Sequence, residues 1–196
     1  MTTFSSMLEI LDSTDFNHIL DTRQQLVQMG TAIVPQVIES LTYTSVKQMI
    51  SLITILGEIK DERAITPLCD LLLNHNNLMI RSKAAEALGC FHNPQTIDAL
   101  IQSLNNPQES EVVMMWVVAS LGTISDSRTY TALISYLEQI ESSTMQYMTI
   151  RALGHLGNKN AIPYIAPFLN NDDHHVRRDA EIALSHLGYG MSSKEK

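Results

Sequence analysis

A leucine–glycine pair recurs along this chain at a nearly fixed interval, and no other feature constrains the fold as strongly. Glycines stand at Gly57, Gly89, Gly122 and Gly154, each after a leucine, at intervals of 32, 33 and 32 residues (57 to 89, 89 to 122, 122 to 154). A fifth copy places Ser185 at the equivalent position in Ala183-Leu184-Ser185-His186-Leu187-Gly188. Glycines scattered at random would not keep this spacing, and a period of this size marks a stacked array of supersecondary units.

The residues between the glycines repeat as well. A polar turn follows each copy, and then comes a short amphipathic stretch. The copies are Ala32-Ile33-Val34-Pro35, Ala64-Ile65-Thr66-Pro67, Thr96-Ile97-Asp98-Ala99, Tyr130-Thr131-Ala132-Leu133 and Ala161-Ile162-Pro163-Tyr164. Proline suits a helix start, because N–H groups of the first turn have no intrahelical acceptor to lose. A second helix then leads into each glycine. In Ile80-Arg81-Ser82-Lys83-Ala84-Ala85-Glu86-Ala87-Leu88-Gly89 the apolar residues 80, 84, 87 and 88 form one helical face. Val176, Ala180, Ala183 and Leu184 repeat that face in the last copy. Small alanines at 84 and 180 allow neighbouring helices to approach closely. No stretch alternates with period 2, so no sheet is expected.

This spacing predicts helix pairs over residues 4–29, 31–57, 62–91, 94–124, 126–156 and 159–187. A single pair cannot bury its own apolar face, so residues 1–187 are expected to form one cooperative array. The polar residues 188–196 are expected to form a fraying tail.

The Val-Arg-x-x-Ala…Ala-Leu-Gly helix, followed by a turn and Ala-Ile-Pro, resembles the HEAT-like repeats of the phycobilisome lyases. The resemblance runs from Thr31 to Leu187. It implies an all-α fold, a right-handed α-solenoid of about five to six HEAT-like helix pairs. It also implies one of two roles. The first is a non-enzymatic scaffold that binds another protein on its concave face. The alternative is a lyase-type subunit that assists attachment or detachment of a bilin chromophore on a phycobiliprotein. The chain has no run like the Gly-Tyr-Asn-Tyr-Gly-Ala-Arg segment associated with those subunits, so the scaffold reading is taken first.

Charge disfavours nucleic acid as a partner. The formal net charge is −8, from 21 acidic and 13 basic side chains. The adjacent basic pair Arg177-Arg178 is surrounded by Asp172, Asp173, Asp179 and Glu181. Phosphate binding needs clustered cations that displace counterions, as in a DNA-glycosylase type of HEAT wall, and no such cluster is present. The longest unbroken apolar run, Val112 to Ala119, is far below the ~20 residues that span a bilayer. The opening Met1-Thr2-Thr3-Phe4-Ser5-Ser6 has neither a basic region nor a long apolar run. A cytoplasmic protein without membrane contact is expected. Cys69 and Cys90 lie inside helical patterns and are expected to be reduced, buried thiols.

Catalytic patterns are absent. There is no Gly-x-Ser-x-Gly elbow, no phosphate loop and no Gly-x-Gly-x-x-Gly. Cys90 and His92 are two residues apart, a spacing that separates side chains on a helix. The di-iron deoxyhypusine hydroxylases, built from similar repeats, carry His-Glu pairs early in their second helices. The matching places here are Ser82-Lys83, Met115-Trp116, Tyr147-Met148 and Arg178-Asp179, which offer iron no ligand set. His155 and His186 are equivalent positions at helix C-termini, where the carbonyl dipole favours a cationic ring. Asp172-Asp173-His174-His175 reads as a helix-capping segment. No catalytic residue, cofactor or metal is expected, and the protein is read as not an enzyme.

Aligning the second helices on the glycines exposes a different pattern. Helices over 46–56 and 111–121 are apolar nearly all round, and Met114-Met115-Trp116-Val117-Val118 is the extreme case. Ile50, Ile53, Met115, Trp116, Val118, Tyr147 and Ile150 fall in columns expected to line the concave wall. Contiguous exposed apolar surface marks a binding site, and Met and Trp are frequent contacts there. These seven residues are the expected partner contacts, with self-association as another way of covering the wall.

Overall fold

Helix ends in this chain are fixed by capping side chains that keep register with the repeat glycines. The residue twelve before each repeat position is Ser45, Asn77, Ser110, Ser142 or Asp173, and each is the N-cap of a second helix. Asn77, Ser142 and Asp173 accept backbone N–H bonds from Met79, Met145 and His175. Ser45 forms a reciprocal capping box with Gln48. Four residues beyond the glycines stand Asp61, Asn93, Asp126 and Asn158. Each accepts the N–H of the residue two positions on and so starts the next first helix.

The structure, a computed structural model, describes residues 3–190. Those residues form twelve α-helices and no strand. The helices are α1 (Phe4–Leu11), α2 (Phe16–Gln28), α3 (Val34–Ser40), α4 (Val46–Ile59), α5 (Ile65–Asn74), α6 (Leu78–Cys90), α7 (Ile97–Leu104), α8 (Glu111–Leu121), α9 (Ser127–Leu137), α10 (Ser143–Leu156), α11 (Ile162–Ile165) and α12 (His174–His186). They make the six expected pairs. In the sixth pair the first helix is broken: Pro167 cannot donate back to Pro163, and the chain tightens into a 3-10 turn over Ala166–Asn170. The helices group into two compact units, one running up to Phe91 and the other starting at His92. At the end of α12, Gly188 takes a left-handed conformation (φ 80°). Its N–H bonds to Ser185 O and that of Tyr189 to Leu184 O, a Schellman cap. The expected fraying tail begins within this cap, and its residues 191–196 lie outside the described residues.

Each unit has an aliphatic core. In the first, Leu26, Val37, Leu52, Leu56, Leu68 and Ile80 are fully buried; in the second, Leu100, Val117, Leu121, Leu133, Leu153 and Val176 are. Within each unit, second helices pack directly on one another through Gly57, Gly122 and Gly154. A Cβ at Gly57 would sit 3.1 Å from the Ala87 Cβ, one at Gly122 2.7 Å from Ala152 and one at Gly154 2.8 Å from Ala183. Those alanines all stand two residues before the following repeat position. The Leu-Gly signature is thus a close helix-to-helix contact, with the methyl of one helix filling the notch in the next.

Polar ties hold the turns. Arg81 donates to the carbonyls of His75 and Asn76, Arg177 to those of Asn171 and Asp172, and Gln146 to that of Ile140. These side chains share one register, eight residues before the repeat position, and each satisfies the loop that enters its own helix. Between repeats, Arg63 bridges Asp61 and the Thr31 carbonyl, and Arg128 bridges Asp126, Asp98 and the Pro94 carbonyl. The Arg63 guanidinium holds the Asp61 carboxyl down at about 2, below its ordinary value of 3.8.

Glycine to alanine in a helix interior ordinarily stabilises by about 0.5–1 kcal/mol. Gly122→Ala and Gly154→Ala should instead destabilise, by about 1–3 kcal/mol, because the new methyl overlaps its neighbour. Gly57→Ala, with the longer approach, should cost less than either. Chemical denaturation of the three variants checks both sign and order.

Candidate functional site

The seven residues expected on one wall divide into two groups. Trp116 is 41% exposed, and Ile50, Met115 and Tyr147 are half-buried. Ile53, Val118 and Ile150 are completely buried, at 0%, so the expectation that they contact a partner is corrected. They share one column, four residues before the repeat glycine. Second helices pack on their first helices and on second helices of the same unit: α10, for example, lies against α8, α9 and α12. The buried arc is therefore wider than one stripe, and the apolar residues on its flank belong to helix–helix packing. What α8 leaves in solvent is a narrower strip of Val112 and Trp116, with Met115 beside it.

The most developed concavity lies between α10 and α12, with a volume of about 460 Å³. Ala183, whose methyl approaches Gly154 closely, is among its lining residues. Tyr147, Arg151 and His155 line it from α10, and His175, Arg178, Asp179, Ile182 and His186 from α12. Arg151 donates to both carboxylate oxygens of Asp179, at 3.0 and 3.1 Å. The Arg151 guanidinium also lies 5.6 Å from the centroid of the Tyr147 ring, a cation–π distance. Tyr147 in turn lies 6.2 Å from His175 between ring centroids, and His175 adjoins His174 with centroids 3.8 Å apart and ring planes tilted by 45°. At the mouth, Asp173 caps α12, and the His175 backbone N–H holds its carboxyl below the ordinary value. His155 and His186 sit in the last turns of α10 and α12, as the sequence suggests, and both are exposed.

The groove is basic: two guanidiniums and three imidazoles surround a single carboxylate, in a chain of net charge −8. The equivalent notch of the first unit, around Gly57 and Ala87, measures about 150 Å³ and is lined by Thr54, Glu58, Lys83, Glu86 and Cys90. The two places use the same helical columns with different charge. Such a basic concavity can hold an anion at its exposed guanidinium, with apolar surface from Tyr147 and Ile182 beside it. Among the described residues no three His, Cys, Asp or Glu side chains converge on a metal position. Cys69 and Cys90 are free and half-buried rather than buried, and burial pushes the Cys69 thiol up to about 11. None of the described helices is long and apolar enough to cross a membrane. The column alignment contained the signal for the groove at three residues before and one after the repeat position. Apolar columns do not reveal it, because most of these positions carry charged or polar side chains.

Residues 34–122, 75–143 and 108–185 match the family profile described as HEAT repeats. The chain belongs to the HEAT-repeat family. Among its relatives, the bilin biosynthesis protein PecE of Nostoc sp. is 30% identical over 128 residues, covering 62% of this chain and 50% of that protein. An uncharacterized phycocyanin operon protein Z of Pseudanabaena tenuis is 27% identical over 132 residues, covering 63% of this chain and 65% of that protein. This HEAT-repeat chain therefore matches between half and two thirds of the length of these relatives. Of solved structures, the complex of CpcE and CpcF of phycocyanin lyase from Nostoc sp. superposes with a TM-score of 0.66 at 24% identity, covering 79% of this chain and 64% of that one. A designed armadillo repeat protein in complex with a (KR)4 peptide gives 0.57 at 16% identity, covering 92% and 98%. Both are likenesses of fold.

The buried and exposed wall residues should separate cleanly by mutation. Ile150→Ala should cost about 2–5 kcal/mol, as for other fully buried isoleucines. Trp116→Ala should stay below the ~3–5 kcal/mol typical of a core tryptophan. Urea unfolding of the two variants checks the assignment.

Proposed function

We propose that this chain is the binding subunit of a bilin lyase, acting with a second protein to place a bilin chromophore on a phycobiliprotein or to remove it. The observation that carries the proposal is the 30% identity over 128 residues to a bilin biosynthesis protein. The fold likeness to the phycocyanin lyase complex is consistent with it. The α10–α12 groove agrees chemically, because a bilin is a planar conjugated pigment with carboxylate side chains. A cleft with guanidiniums and a tyrosine ring suits such a ligand.

In this reading the chain holds and orients, and the reacting groups come from the pigment and its acceptor protein. The exposed strip of Val112, Met115 and Trp116 on α8 supplies a contact for the second protein. Aromatic and methionine side chains are frequent anchors of such interfaces. This retains the protein-binding role expected from sequence and gives it a setting.

Co-production tests the proposal. The chain would be expressed with a second HEAT-type lyase subunit, an apo-phycobiliprotein subunit and a source of bilin. Pigment that survives denaturation on the acceptor is the readout. Covalent pigment should appear only when both HEAT-type proteins are present. Equal pigment with and without this chain, across acceptor subunits, would contradict the proposal.

A further inference from the structure

The groove between α10 and α12 carries more information than its sign. Its two arginines are not equivalent. Arg151 is committed: Asp179 accepts two of its N–H bonds, and the Tyr147 ring covers its other side. Asp179 is itself buried, so the charges of the pair cancel locally. Arg178, one residue earlier on α12, is exposed, lines the same groove and has no ion-pair partner among the described residues. The uncompensated positive charge of this cleft therefore resides on Arg178, with His155, His175 and His186 around it. Ile182 and Tyr147 give the cleft apolar surface beside these cations.

The first unit shows that the charge is not a by-product of the repeat. Its equivalent notch pairs Lys83 with Glu86, and its Glu58 pairs with Arg23, so the same columns there carry no uncompensated cation. Arg178 occupies the column filled by Ser82 in that unit, and Arg151 the column filled by Thr54.

We infer that Arg178 is the carboxylate-binding residue of this groove, and that it takes a propionate side chain of the bilin while the pigment's ring system lies against Tyr147 and Ile182. The inference rests on the proposed function for the identity of the ligand, and on the groove alone for the chemistry. A guanidinium matches a carboxylate in two parallel hydrogen bonds. The Arg151–Asp179 pair shapes the neighbouring wall and leaves the ligand's charge to Arg178.

The test compares biliverdin, which carries two free propionates, with its dimethyl ester, which has the same ring system and no carboxylate. Binding of each to the full chain is read from the change in pigment absorbance. The diacid should bind about tenfold or more tightly than the ester, the ratio expected of one charge-assisted contact. Arg178→Gln should bring the diacid down to the level of the ester and leave the ester unchanged, while Arg178→Lys keeps part of the preference. Because Arg178 is exposed, the thermal melt of both variants should match that of the parent. Equal binding of diacid and ester, equal loss of both in Arg178→Gln, or no binding of either would overturn the inference. Covalent transfer to a phycobiliprotein without diacid preference would sink this assignment and leave the lyase reading standing. Diacid preference lost in Arg178→Gln, with no transfer under any acceptor, would do the reverse.

Discussion

Within each compact unit, second helices of adjacent repeats meet where a glycine on one receives an alanine methyl of the next, and this contact sets the packing around it. With 2.7–3.1 Å between the Ala Cβ and the place a glycine Cβ would take, neither position tolerates a larger side chain without displacement. Dispersion is short-ranged, so close approach of two helices is stabilising only when the surfaces interlock. The contact fixes which columns of each second helix turn toward its neighbours and which remain in solvent. Ala183 of one such contact lines the α10–α12 groove, so the cleft lies where the repeat brings two second helices together. Its charge is a property of the side chains placed around it.

Much of this was legible in the sequence because it is periodic. The spacing of Gly57, Gly89, Gly122 and Gly154 located all six helix pairs, and the absence of period-2 alternation excluded a sheet. The caps were equally periodic and less visible. Ser45, Asn77, Ser110, Ser142 and Asp173 keep one register, but a cap is a single residue type at a single position and adds little to an apolar pattern. The wall was read with less success. Ile53, Val118 and Ile150 look like an exposed apolar column if a helix is imagined against one neighbour. In a stack a second helix such as α10 has neighbours on three sides, and its flank column is buried. Trp116 stayed outside because it lies farther round the helix.

The basic groove was not legible by the same route. Arg151 and Asp179 come from different repeats, 28 residues apart in sequence, and their pairing depends on the separation of α10 and α12. Neither residue is unusual in its own helix. The net charge of −8 argued against polyanions and drew attention away from a local basic cleft. Composition averages over the surface, whereas a site needs only one exposed cation whose charge is not cancelled. Family membership settles the architecture and leaves function to such local differences, since this repeat serves many tasks. Two notches built from the same columns, one with its charges paired and one with an exposed arginine, illustrate that division within one chain.

The central claim is that the glycine–alanine contact specifies helix approach, and a double-mutant cycle measures it directly. Gly154→Ala, Ala183→Gly and the double variant would be unfolded in urea alongside the parent. Moving the methyl from one helix to the other restores the fit, so the double variant should be more stable than the sum of the single changes by about 1–2 kcal/mol, within the range for residues in contact. A coupling indistinguishable from zero would show that the two positions act independently. The close approach would then not be what organises the stack.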